Sequence, residues 1–105
     1  EAIEKATLYA TQVPLRTMKA SFKAFGITRA MAETGNPNSV SDAGVGALAA
    51  RSAVLGAQLN VKINAASLSD KAKAAELVAE ADEIAAKAVK EEKEILDIVN
   101  SKING

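Results

Sequence analysis

The chain has 105 residues, 49% of them apolar and 25% charged, and its thirteen basic side chains balance thirteen acidic ones. A net charge of zero leaves no overall basic field to hold nucleic acid or an anionic membrane. With neither Cys nor His present, disulfides, thiolate nucleophiles, zinc–thiolate sites and the commonest general base are excluded, so any catalysis runs on carboxylates, amides, hydroxyls, Lys or Arg, or on another chain.

Alanine dominates, with 23 residues, while aromatics make up 3%. Ala is the best helix former and strand-favouring residues are sparse, so the expected class is all-α: long antiparallel helices with a buried central one. Val, Ile, Leu, Met and Phe together number only 27. Because the other apolar positions are mostly methyl-sized, the chain is expected to self-associate. Glu1-Ala2-Ile3-Glu4-Lys5 reads as mid-helix, without an initiator Met or a cap, so the chain is expected to be a fragment. No targeting segment is visible, and a cytoplasmic location is expected.

The first helical segment is predicted over residues 1 to about 34, with a kink or break near Val13 because Pro14 removes a backbone donor. Leu8, Val13–Leu15, Met18, Phe22, Phe25 and Met31 mark its expected buried face. Gly35-Asn36-Pro37-Asn38-Ser39 stops it. A second helix is expected from a cap at Ser41 or Asp42 to about Ala65. Only Asp42, Arg51 and Lys62 are charged between residues 34 and 68, so this helix should be buried all round. Arg51, Gln58 and Asn60 interrupt it too often for a membrane span.

Ser67-Leu68-Ser69-Asp70 makes the next turn and cap, and a third helix follows to about residue 102. Ala74, Leu77, Ala81, Ile84, Ala88, Ile95 and Ile98 form its expected seam, broken at Glu91, and Glu91-Glu92-Lys93-Glu94 reads as a solvated face.

Chemistry can sit at two places on the second helix. Gly46, Ala49, Ala53, Gly56 and Asn60 form a stripe of small residues, which implies close helix packing. Its ends are polar. Asn60 and Asn64 are four apart, so they share a face, and a buried amide without a partner costs about 1–3 kcal/mol. Together they imply either a structural network or a polar ligand. Asp42 is the only carboxylate of its helix, and an ionised Asp beside a reacting amine can orient a cation or accept a proton. Asp42 and Asn60 point the same way but lie roughly 27 Å apart along one straight helix. They can bind two ends of a long ligand, or meet across an antiparallel two-fold pair of helices. No Walker loop is present, and Gly44-Val45-Gly46 falls inside a helix rather than between strand and helix.

These residues carry a resemblance. Val13-Pro14-Leu15, Gly35-Asn36-Pro37-Asn38, Ser41-Asp42-Ala43-Gly44-Val45, Gly56-Ala57 and Asn60-Val61-Lys62-Ile63-Asn64 resemble, in order and spacing, the cyclodeaminase part of the formiminotransferase-cyclodeaminase family. The resemblance implies a single helical domain over residues 1–105 that is the C-terminal part of a larger cyclodeaminase-type domain. It implies folate one-carbon chemistry: conversion of 5-formiminotetrahydrofolate to the methenyl form with loss of ammonia, or hydrolysis of methenyltetrahydrofolate to 10-formyltetrahydrofolate. The implied roles are Asp42 as catalytic residue and Asn36, Asn38, Ser41, Asn60 and Asn64 as substrate-binding residues. A homodimer with a folate site near the subunit contact is implied, with no metal and no cofactor beyond the tetrahydrofolate substrate. The rival is a non-catalytic helical assembly protein, which would gain little from polar groups at Asp42, Asn60 and Asn64.

Overall fold

A computed structural model describes residues 1–105, and it contains helices and no strand. Helix α1 spans Ala2–Phe22, α2 spans Ala24–Thr34, α3 spans Pro37–Ala65 and α4 spans Lys71–Ile103. Helices α1 and α2 run end to end, α3 returns antiparallel to them, and α4 runs antiparallel to α3. The result is a slender up–down–up body of 58 × 17 × 15 Å with α3 packed between α1–α2 and α4. The all-α expectation holds.

The break in the first segment lies at Lys23 and not at Pro14. Helix α1 runs through the proline, because one lost backbone bond is outweighed by the packing of Thr11, Leu15 and Met18 on both sides of it. At Lys23 the ladder tightens instead: the Gly26 N–H donates to the Lys23 carbonyl, three residues back, at 3.2 Å. Phe22 and Phe25 meet edge to face there, with ring centroids 5.3 Å apart. On the expected buried face, Leu15, Met18 and Phe25 are in the core, whereas Val13 and Met31 are each 39% exposed.

Helix α3 begins five residues before the expected start. Asn36 is its N-cap and Pro37 its first residue. The Asn38 and Ser39 N–H groups donate to Asn36 Oδ1 at 2.9 and 3.1 Å. Neither Ser41 nor Asp42 caps the helix, because Asn followed by Pro already combines a capping oxygen with a preset helical φ. Gly35 is required one residue earlier: a Cβ there would collide with the Met31 carbonyl and Ser39 Oγ.

The core runs along one face of α3, through Val40, Ala43, Ala47, Ala50, Val54, Ala57, Val61 and Ala65. The expectation of burial all round is corrected. Three antiparallel rods give the middle one two neighbours, which cover only part of its circumference. Val45, Leu48, Leu59 and Ile63 stay 65, 46, 67 and 70% exposed. Of the small-residue stripe, only Gly46 meets another helix, at the Thr28 methyl of α2, while Ala49, Ala53 and Gly56 are exposed. Close packing is instead made on the other flank by Gly44 against Val99 of α4.

The seam of α4 holds at Ala74, Leu77, Ala81, Ala88 and Ile95 and moves by one position elsewhere. Its buried residues are Ala74, Leu77, Ala81, Ala85, Ala88, Glu92, Ile95 and Val99, with Ile84 and Ile98 on the border. The run Glu91–Glu94 is therefore not a solvated face. Glu92 is 5% exposed and accepts from Arg51 of α3 at 3.4 Å, while Arg29 of α2 donates to Glu91 at 3.0 Å and Glu94 at 2.7 Å. Arg51→Leu leaves a buried carboxylate without its cation and is expected to cost about 1–3 kcal/mol, discounted for the partial exposure of Arg51. Adding Glu92→Leu should recover most of that loss, since an apolar pair replaces the ionic one. Urea denaturation of both variants measures this, and equal stability of the single variant and the parent contradicts it.

At the opposite end, Glu4 of α1 accepts the Ser69 and Asp70 N–H groups at the start of α4. Those backbone bonds, Ser69 first and then Asp70, hold its carboxyl below the ordinary glutamate value. A depressed folded pKa stabilises the fold above the unfolded value of 4.5, and that contribution is lost as pH falls through the folded pKa. Asp82, bonded by Gln58 and Lys62 of α3, follows the same sign. Thermal melting from pH 5 down to pH 3 should therefore show a steeper loss for the parent than for Glu4→Gln.

Candidate functional site

Two polar patches lie on one flank of α3. The first is its N-terminal end, where Asn36 caps and Asn38, Ser41 and Asp42 are exposed. Asn38 and Asp42 are four apart, one above the other on the same side. The side chain of Asn36 is committed by its oxygen to the helix start. The Asp42 carboxylate has no hydrogen-bond or ion-pair partner within the chain, so nothing intramolecular explains its placement.

The second patch is a groove between α1 and α3, with a cavity volume of about 290 Å³. Its α1 wall is Ala10, Val13, Pro14 and Thr17, and its α3 wall is Ala57, Asn60 and Asn64. Pro14 does two things there. It presents an apolar ring to the groove, and it cannot donate to the carbonyl of Ala10, leaving that oxygen without its usual helical partner. The antiparallel pairing of α1 with α3 thus brings the first and last of the sequence motifs, Val13–Leu15 and Asn60–Asn64, onto one groove.

The amides are not buried as expected. Asn60 is exposed and Asn64 is half-buried, with its Nδ2 donating to the Asn60 carbonyl at 2.9 Å. They do not bond to each other through their side chains. The Asn60 amide and the Asn64 Oδ1 remain available to a ligand, and neither carries a desolvation cost within this chain.

The two patches do not meet within one chain. Asp42 and Asn60 stand about five turns, or roughly 27 Å, apart along α3, pointing the same way. Sequence reasoning missed Arg29, Arg51, Glu92 and Glu4, whose partners lie 41 to 66 residues away in the chain. Glu92 alone left a signal: it falls on the 4-3-4-3 series Ala81, Ala85, Ala88, Glu92, Ile95. The structure contains no cluster of carboxylates able to hold a metal ion, and no helix long and apolar enough to cross a membrane.

These features define a class: an all-helical body whose polar groups, Asp42 and the Asn60–Asn64 pair, sit at opposite ends of one incompletely covered helix. The formiminotransferase-cyclodeaminase family model matches residues 1–83, and the chain belongs to that family. It is 37% identical over 102 residues to a methenyltetrahydrofolate cyclohydrolase of Methylorubrum extorquens, covering 97% of this chain and 49% of the relative. It is 35% identical over 101 residues to a formimidoyltransferase-cyclodeaminase of Dictyostelium discoideum, covering 96% of this chain and 19% of the relative. The chain thus spans about half the length of the first and a fifth of the second.

Proposed function

We infer that this chain belongs to a folate one-carbon enzyme acting at the carbon that bridges N5 and N10 of a tetrahydrofolate derivative. The observation that carries the reading is the similarity over 97% of the chain to a relative named methenyltetrahydrofolate cyclohydrolase. In the hydrolytic direction, water adds to the methenyl carbon, the carbon–N5 bond breaks, and the formyl group stays on N10. In the deaminating direction, N10 attacks the formimino carbon and ammonia leaves. Both need one group that takes a proton from the attacking atom and returns it to the leaving nitrogen. Asp42 is assigned that role. It is free of internal partners and solvent-accessible.

Asn38 and Ser41 flank Asp42 and are assigned to the same end of the ligand, with Asn36 holding the helix start on which they stand. Asn60 and Asn64 offer an amide and a carbonyl oxygen to the polar edge of a pterin lying in the α1–α3 groove. The working unit is assigned as a homodimer. Val45, Leu48, Leu59 and Ile63 form an uncharged outward ridge on α3, of the kind that soluble proteins cover with a partner. The test is addition of methenyltetrahydrofolate to the protein, followed by loss of the methenyl chromophore and by calorimetry. Binding with turnover supports the reading, and absence of binding overturns it.

A further inference from the structure

Pro14 stands inside α1, where a proline forfeits a backbone hydrogen bond and is the least favourable of all residues. The core does not demand it. Thr11, Leu15 and Met18 supply the buried face of α1, and Pro14 lies half-buried at its edge. Its ring faces the α1–α3 groove beside Ala10, Val13 and Thr17, which share that face at helical spacing. Ala10, the residue that Pro14 deprives of a donor, thus lines the same groove. The threonine hydroxyls of α1 do not replace that donor: Thr7 donates to the Ile3 carbonyl, Thr11 to Thr7 and Thr17 to Val13.

The other polar groups of the groove share this bias toward accepting. Thr17 gives its hydroxyl proton to the Val13 carbonyl at 3.2 Å, so its oxygen meets a ligand as an acceptor. Asn64 directs Nδ2 to the Asn60 carbonyl at 2.9 Å, which leaves its Oδ1 without a partner. The Asn60 amide keeps both capacities. No charged side chain lines the groove. Acceptors without a carboxylate favour a neutral group bearing N–H donors over an ammonium ion, whose desolvation they cannot offset.

We propose that Pro14 sets the specificity of this groove by keeping the Ala10 carbonyl out of the helical ladder. That oxygen, with Thr17 Oγ1 and Asn64 Oδ1, then recognises adjacent N–H donors on a neutral heterocycle. This rests on the placement of a pterin in the groove and adds which of its edges enters. The 2-amino group and the neighbouring ring N–H of a pterin form such a pair of donors, and the ring carbonyl beside them accepts from the Asn60 amide. Pro14 makes no hydrogen bond to the ligand. It is a positioning residue that acts through Ala10.

Pro14→Ala restores the missing N–H and draws the Ala10 carbonyl back into the helix. The variant should melt at or above the temperature of the parent, because it removes an unfavourable residue from a helix interior. Its affinity for 5-formyltetrahydrofolate should nonetheless fall about threefold to tenfold, the worth of one neutral hydrogen bond. Selectivity separates this from a change of groove shape. The second ligand is the same folate with hydrogen in place of the 2-amino group. The parent should prefer the amino form by about tenfold, and Pro14→Ala should lose most of that preference. Thr17→Val, which removes a second acceptor and keeps the shape, should shift selectivity in the same direction. Calorimetric titration of the three proteins with both ligands reads the ratios. A Pro14→Ala variant that weakens both ligands equally, or neither, overturns the proposal and leaves the pterin reading standing. A parent that does not bind 5-formyltetrahydrofolate overturns both.

Discussion

Asp42→Asn is expected to lower turnover at the bridging carbon by about 100-fold or more, the range that a positioned general acid–base contributes, while KM changes by no more than a few-fold. The substitution keeps shape and hydrogen-bonding capacity and removes only the charge and the proton-accepting ability. The structure makes this test clean. Helix α3 is capped by Asn36, so Asp42 lies beyond its first turn and the variant loses no cap. Its side chain is exposed and without internal partners, so stability should change by less than about 0.5 kcal/mol. A drop in kcat therefore reads chemistry and not unfolding. Steady-state kinetics with a melting curve on the same sample decide it, and unchanged turnover removes Asp42 from the mechanism.

The second large effect is expected at the opposite end of α3. Asn60→Leu with Asn64→Leu keeps approximate volume and removes the amides that face the α1–α3 groove. Asn60 is exposed, and the only internal bond lost is that from Asn64 Nδ2 to the Asn60 carbonyl, so the double variant should fold as the parent does. Each ligand hydrogen bond lost is worth about 0.5–1.5 kcal/mol, and more where a polar ligand group is left against Leu. Affinity for a reduced folate should then fall at least tenfold, equivalent to about 1.4 kcal/mol. Titration calorimetry reads this directly. A double variant that binds as the parent does returns the two asparagines to a structural role.

The two experiments bear on the rival reading of a helical assembly protein. Such a protein would tolerate both changes with assembly intact, because neither Asp42 nor Asn60 supports the fold. The distinction between enzyme and scaffold thus falls on polar residues that the core does not use.

Much of this architecture was legible in the sequence because its causes are local. The alanine content set helices, Gly35-Asn36-Pro37 and Ser67–Asp70 set the two reversals, and the motifs from Val13 to Asn64 carried the family. Where local rules competed, the tertiary contacts chose. Pro14 was tolerated because residues on both sides of it were buried. Asn36-Pro37 out-competed Ser41 and Asp42 for the helix start. The buried stripe of α4 took Ala85, Glu92 and Val99 in place of Ile84, Glu91 and Ile98, so that Glu92 was buried opposite Arg51.

By itself the sequence determined the helix count to within one break, the sparse charge of α3, and the common direction of Asp42 and Asn60, since all follow from residue type and a helical period. Only the tertiary structure decided which face of α3 is covered and that Asn60 and Asn64 share a groove with Pro14. It alone paired Arg29, Arg51 and Glu4 with distant partners. Those outcomes depend on how three rods lie side by side, and the contacts of Arg29 and Glu4, 62 to 66 positions apart, leave no periodic trace along the chain.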